Sequence, residues 1–260
     1  MTEKQELSKK RETYWDNIKR MGKKIMKLTI VIPCYNEAEN IPLILNRFDE
    51  VIGSSDIEVI FINNGSTDNS ADILDNLVPR YSFARTIFVP ENKGYGYGIT
   101  QGLKEADGDY IGWTHADMQT DPGDVVKAWK IIQKYRGEDV YIKGTRIGRR
   151  FFDNVFTYGM GLFESLYFGM PMKDINAQPN IFPKTFLDQW KNPPFDFAIE
   201  IYSFILARRN KMKIIRVPVN FSERVYGQSS WNTGLKSKLK LAKRTISFSR
   251  SLKEREKCDE

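Results

Sequence analysis

Leu28-Thr29-Ile30-Val31-Ile32-Pro33-Cys34-Tyr35-Asn36-Glu37 is the stretch that decides the fold. Leu28 to Pro33 form a near-continuous apolar run of strand length, the pattern of a strand covered on both faces. The run stops at a proline and opens into a tyrosine, an amide and a carboxylate. Three further runs share its character: IEVIFIN (57–63), ARTIFVP (84–90) and DYIGWT (109–114). Between them, residues 39–51, 68–78 and 98–106 are amphipathic at helical spacing. This alternation predicts an α/β fold with a central, mostly parallel sheet flanked by helices. Ligands of such sheets bind beyond the carboxyl ends of the strands, so the loops after Ile32, Ile62, Val89 and Trp113 carry the interest.

Downstream the pattern is less regular. Residues 124–135 and 195–209 read as helices, and 140–145 and 213–221 as strands. Residues 151–170 are aromatic-rich, with Asp153, Asn154, Thr157, Gly161, Glu164 and Ser165 on one helical face. That is interfacial character, or the face of a helix packed on the core or between subunits. Residues 235–252 form a basic helix with Lys236, Lys240, Lys243, Arg244 and Arg250 on one face. No repeat or linker appears. The organisation expected is a basic helical extension (1–27), one main domain (28–232) and a basic amphipathic helix with a tail (233–260).

Composition excludes several classes. The 260 residues hold 40 Lys+Arg, 33 Asp+Glu, one His and two Cys. Cys34 and Cys258 allow at most one bridge, so no disulfide scaffold and no zinc cluster is expected. His115 is the sole imidazole. No uninterrupted apolar run reaches membrane-spanning length, and residues 1–24 lack a secretory core. The location expected is cytoplasmic, with peripheral contact at the inner face of a membrane. The net charge of +7 divides into +5 over residues 1–27, −8 over 28–207 and +10 over 208–260. Basic ends suit anionic lipid, nucleic acid or phosphate-bearing substrates, or are simply solvated.

The loops supply chemistry. Tyr35, Asn36 and Glu37 can hold a base and ribose, or form a capped turn. Asn63-Asn64-Gly65-Ser66-Thr67-Asp68 follows the second strand, with Gly65 permitting a tight turn and Asp68 placed to cap a helix. Asn92-Lys93-Gly94-Tyr95-Gly96-Tyr97-Gly98 has the wrong spacing and place for a dinucleotide fingerprint. Its glycines serve close helix packing or room for a nucleotide. After the fourth strand, Asp117 and Gln119 would share one side of an extended backbone, and their oxygens suit Mg²⁺ or Mn²⁺. Asp121-Pro122 starts a helix. Lys143-Gly144-Thr145-Arg146 can neutralise a diphosphate. Residues 224–231, with Arg224, Ser229 and Trp231, read as a closing loop.

Taken in order, P-x-Y-N-E, N-N-G-S-T-D, N-x-G-x-G and x-A-D-x-Q resemble glycosyltransferase family 2 with its GT-A fold, over about residues 28–232. Residues 116–122, 143–146, 174–180 and 217–230 are similar to the dolichyl- or polyprenyl-phosphate sugar synthase branch. The resemblance implies a catalytic domain over 28–232 that moves a sugar from a nucleotide-diphosphate sugar to a polyprenyl phosphate or glycan. It implies inversion by direct displacement. Asp117 and Gln119 would hold the metal, Pro33, Tyr35, Glu37 and Asn64 would surround the nucleotide, and Arg146 and Arg224 would meet phosphates. Gln178, Ser229 and Trp231 would belong to the closing loop and acceptor side. Three positions depart from the family pattern. Asn63-Asn64 replaces D-D, His115 replaces the first acid of D-x-D beside the nucleotide, and Ala177-Gln178-Pro179-Asn180 replaces S-G-F-R.

A phosphate acceptor is already anionic and needs no general base; for a hydroxyl acceptor, Asp196 is the candidate. Asn64 offers one acceptor and two donors, which matches uracil, or cytosine after a flip, and leaves guanine's donors facing amide hydrogens. A UDP-sugar is therefore favoured over a GDP-sugar. The partners expected are the donor, the lipid or glycan acceptor and an anionic membrane surface, with no nucleic acid; a homo-oligomer is compatible. The competing readings are a nucleotidyltransferase, whose Gly-rich phosphate loop near the first strand is lacking, and a non-catalytic nucleotide-sugar or RNA-binding module.

Overall fold

β1 (Leu28–Cys34) lies inside a parallel ladder, paired with β2 (Ile57–Asn64) on one side and β4 (Tyr110–Trp113) on the other. β3 (Ala84–Val89) extends the ladder beyond β2. The computed structural model describes residues 26–53, 56–135, 137–148, 151–222, 226 and 235–259, with the backbone alone at 151–156, 235–241 and 255–259. β6 (Asn180–Pro183) pairs antiparallel with both β4 and β5 (Val140–Ile147), and β7 (Lys213–Asn220) lies parallel to β5. The sheet order is β3-β2-β1-β4-β6-β5-β7. The expected parallel sheet is present, with one antiparallel strand inserted. β6 was not foreseen, because four residues ending in a proline give no periodicity to read.

Burial explains the strands. Alternate residues of β1 go to opposite faces, as the pleat requires. Ile30 and Ile32 join a core built with α1 (Ile41–Ile52), α2 (Ser70–Leu77) and α4 (Pro122–Ile132). Val31 joins the other core, with α3 (Tyr95–Lys104) and α6 (Ile199–Arg209). Helix ends follow local chemistry. Gly53 closes α1 at φ +54°, a conformation that costs glycine little. Asp121 opens α4 by accepting from the Gly123 N–H at 2.7 Å, while its carboxylate is held below the usual range by Arg47. No helix among the described residues is long and apolar enough to cross a membrane.

The aromatic-rich segment is α5 (Phe151–Phe168), and its sides are reversed relative to an ordinary surface helix. Gly161 and Glu164, from the polar face, are buried. Tyr158, Leu162 and Leu166 are 69%, 60% and 77% exposed. The buried side packs on Met172, whose N–H donates to Ser165 Oγ, and on α7 (Leu235–Asp259), where Ser249 Oγ donates to Glu164 Oε2 at 2.9 Å. Glu164 Oε1 has no partner among the described residues. Burial pushes this carboxyl up to about 7, with the Ser249 hydroxyl opposing.

A carboxyl whose folded pKa exceeds its unfolded value binds more protons when folded. Its contribution is therefore complete in acid, begins to fall above the unfolded value near 4.5, and is lost as pH rises through about 7. Glu164→Gln, neutral throughout, should unfold later than the parent at pH 8.5, by on the order of 2 kcal/mol, with the gap closing near pH 5. Denaturant titrations at the two pH values measure this; a gap independent of pH would mean that Glu164 is not buried as a neutral acid.

Candidate active site

The loops at the carboxyl ends of β1 and β2 meet, and hydrogen bonds fix how; β4, parallel to β1, ends at the same edge of the sheet. Asn36, at φ +56°, accepts from the Thr67 N–H at 2.8 Å through Oδ1. Its own N–H donates to Ser66 Oγ, and the Glu37 N–H donates to Ser70 Oγ. Asp68 accepts from the N–H groups of Ala38 and Ser70, the capping role expected of it. Tyr35 stands 46% exposed above this seam, an accessible ring beside buried Pro33. Glu37 accepts from Asn40 Nδ2 at 2.6 Å.

Asn64 differs from its expected use. It is 3% exposed, and its amide donates to the Gly94 carbonyl at 3.0 Å and to Asn92 Oδ1 at 3.4 Å. Both donors are thus engaged by the chain, and Oδ1 is buried with no partner among the described residues. The side chain presents one acceptor rather than the mixed edge read from the sequence, so the amide flip invoked for cytosine is closed. Gly94 at φ +118° and Gly96 lie against the backbone of residues 194–196, and Gly98 lies against the Asn64 amide. A β-carbon at Gly96 would meet the Pro194 carbonyl oxygen at 2.3 Å. Close packing, one of the two readings of these glycines, is what the structure contains.

Asp117 sits beyond β4, 4% exposed, with Oδ1 accepting the Gln119 N–H at 3.1 Å. Met118 between them has φ +56°. The backbone here is a turn closed by the aspartate, not the extended strand read from the alternation, because the side chain bonds its own main chain two residues on. Gln119 is clipped to Ser222, its carbonyl accepting the Ser222 N–H and its Nε2 donating to the Ser222 carbonyl at 3.3 Å. His115 is half-buried on the same turn. Arg224, Ser229 and Trp231 lie outside the described residues. Ser222 and Tyr226, which flank Arg224, reach Gln119 and Asn40.

Two cations have other duties than a bare phosphate clamp. Arg146 is paired with Asp174, which takes its backbone N–H at 2.7 Å, its Nε at 2.8 Å and its Nη2. Lys143, read with Arg146 as able to neutralise a diphosphate, is instead fully buried, 2.6 Å from Asn180 Oδ1 and 3.3 Å from Glu200 Oε2. Burial lowers its ammonium to about 8, opposed chiefly by Glu200. Gln178 is 1% exposed and donates to Glu200 Oε1 at 2.6 Å. Asp196 accepts the Ala198 N–H and pairs with Arg244 of α7 at 2.7 Å. Glu200 was missed. Its signal was the one acid within the apolar stretch of residues 197–207.

No group of three His, Cys, Asp or Glu side chains able to hold a metal occurs among the described residues. The donors on the Asp117 turn, one buried carboxylate with an amide and an imidazole close by in sequence, fit a hard divalent cation that keeps waters and takes substrate phosphate oxygens. They do not fit a cation needing an all-protein cage.

The model of the family described as Glycosyl transferase family 2 matches residues 29–213. The chain belongs to this family. It is 26% identical over 214 residues to the dolichol-phosphate mannosyltransferase of Pyrococcus furiosus, an alignment covering 78% of this chain and 59% of that one. It is 28% identical over 219 residues to the undecaprenyl-phosphate 4-deoxy-4-formamido-L-arabinose transferase of Proteus mirabilis, covering 80% and 64%. The chain thus spans under two thirds of the length of these curated relatives. Among solved structures it is similar to glucosyl-3-phosphoglycerate synthase from Mycobacterium tuberculosis with Mn²⁺ and UDP, at TM-score 0.65 and 17% identity over 85% of this chain and 77% of that one. A mannosyltransferase from Pyrobaculum calidifontis with GDP-Man and Mn²⁺ gives 0.57 and 17%, covering 78% and 58%. The fold of this family 2 chain is GT-A.

The family's aspartate cannot simply be restored at position 64. Asn64→Asp would set a carboxylate against the Gly94 carbonyl and lose the 3.0 Å bond. Unfolding free energy should fall by about 1–3 kcal/mol. Urea denaturation reads this directly, and an unchanged midpoint would mean that the amide does not hold Gly94.

Proposed function

We propose that this protein transfers a glycosyl group from a nucleoside-diphosphate sugar, UDP-linked by preference, to a polyprenyl phosphate at a membrane surface, with inversion. The observation that carries the reading is that the joined β1 and β2 loops and the buried Asp117 carboxylate beyond β4 stand at the same, carboxyl edge of three parallel strands. Tyr35 offers a face for the base, and Glu37 and His115 border the ribose and diphosphate side. The preference for UDP is supported by the sequence pattern rather than by a contact of Asn64, whose donors are spent on Gly94 and Asn92 and whose Oδ1 is buried.

Asp117 and Gln119 would hold Mg²⁺ or Mn²⁺, which supplies positive charge against the leaving diphosphate. Arg224, in the segment anchored at Ser222 and Tyr226, would add a second positive group. An acceptor phosphate oxygen attacks the anomeric carbon from the face opposite the diphosphate. The new C–O bond forms as the old one breaks, and the nucleoside diphosphate leaves with the electron pair. No proton is transferred, so Asp196 is free to remain paired with Arg244.

The lipid acceptor is supported by α5. Between α5 and the end of β5 lies a cavity of about 520 Å³, lined by Ile147, Tyr158, Leu162 and Met172, with Arg146 and Lys173 beside it. Exposed apolar side chains over such a cavity suit an interface helix that shares its lipid face with a bound chain.

Two experiments test the reading. Asp117→Asn keeps the shape but removes the charge, and should lose most transfer to polyprenyl phosphate in a panel of nucleotide sugars that the parent turns over, UDP-sugars best. Retained turnover in saturating Mn²⁺ would sink the metal role, and preference for a GDP-sugar would sink the base assignment. Sedimentation with anionic vesicles should retain the parent at low salt and release much of it at high salt, as screening weakens the basic contribution. Leu162→Glu with Leu166→Glu should abolish retention; equal retention of this variant would remove α5 from the membrane contact.

A further inference from the structure

Glu200 accepts five hydrogen bonds in the dry interior beneath the site. Oε1 takes Trp113 Nε1 at 2.8 Å, Gln178 Nε2 at 2.6 Å and Tyr95 OH at 3.4 Å. Oε2 takes Asn180 Nδ2 at 2.9 Å and Lys143 Nζ at 3.3 Å. These donors come from β4, β5, β6, the start of α3 and the turn before β6. One of them leads to the candidate metal turn, and one to the start of α3, beside the Gly94 carbonyl that Asn64 holds. Trp113 ends β4 four residues before Asp117, with its ring wedged among Phe182 and Trp190. Tyr95 opens α3, stacks on Phe197 at 4.4 Å and receives Gln178 Nε2 on its hydroxyl. Its phenol is held well above the ordinary range by burial and then by Glu200, and the Asp117 charge also acts on it.

We infer that Glu200 is a positioning residue for the donor site: through Trp113 it sets where the Asp117 turn stands, through Tyr95 it sets where α3 begins beside Asn64, and Lys143 neutralises it so that it can remain in the core. This rests on the proposed metal role of Asp117. Glu200 touches no substrate. It acts as the outer partners of a ligand act, by limiting the orientations open to the group they support. The buried pair gives no strong stabilisation by itself, since desolvation of both charges offsets their attraction. What it supplies is a fixed junction for five donors from distant elements.

The test is Mn²⁺ binding to the full chain in saturating UDP, read from the spin-resonance signal of free Mn²⁺, alongside thermal unfolding. Tyr95→Phe deletes one hydroxyl and keeps the stack on Phe197. Lys143→Met with Glu200→Gln removes both charges, so no lone buried charge is left to unfold the core. Both variants should need about tenfold more Mn²⁺ for half-saturation, with Tyr95→Phe melting close to the parent. Unchanged Mn²⁺ affinity in both, with lower melting alone, would make the cluster purely structural and overturn the inference. Asp117→Asn is the control. If it binds Mn²⁺ as the parent does, the metal reading itself has failed and this inference falls with it; if it alone loses Mn²⁺, only the positioning role has failed.

Discussion

A carboxylate without water must be satisfied by the chain, and Glu200 is such a carboxylate, 2% exposed. Its five donors come from elements far apart in sequence. Satisfying it therefore fixes the mutual placement of β4, β5, β6, α3 and α6 at the end of the sheet where ligands of α/β folds bind. The seam between Asn36 and Thr67 does the same for β1 and β2 with exposed groups. One is held by burial and charge, the other by local turn chemistry, and the candidate site lies between them.

Much of this was readable beforehand. Strands buried on both faces announce themselves as continuous apolar runs, so β1 to β4 stand within a residue of where the sequence places them. Asp68 and Asp121 cap as their positions imply. What could not be read depends on contacts between distant segments. Lys143 reads as a cation for a diphosphate until Asn180 and Glu200 are placed around it. Asn64 looks able to donate and accept until Gly94 takes its amide. Asp117 and Gln119 alternate in the sequence, yet Met118 turns left-handed because a short acid can bond its own backbone.

α5 shows the same division. The helical spacing of its polar residues was legible, and among the described ones Gly161 and Glu164 are buried together. Which side faces inward was not legible, because periodicity has no sign. Only the packing of Gly161 against Met172 and of Glu164 against Ser249 decides it, leaving Leu162 and Leu166 outward. Apolar side chains of this helix stand exposed, while Gly161 and Glu164 serve the inside.

The antiparallel placement of β6 also governs the order of assembly. β1 to β4 follow one another in the chain and pair through short crossovers, so they can form while later residues are still being synthesised. β4, however, has its second neighbour at Asn180–Pro183, about seventy residues downstream of it. Until that segment leaves the ribosome, the nascent half-sheet carries an unpaired edge at Tyr110–Trp113, where an exposed strand invites association with other chains. Closing that edge delivers Asn180 to Glu200 and Lys143 in the same step. Residues 114–180 must therefore be in place before that edge is covered, and completing the sheet is also what completes the support beneath the site.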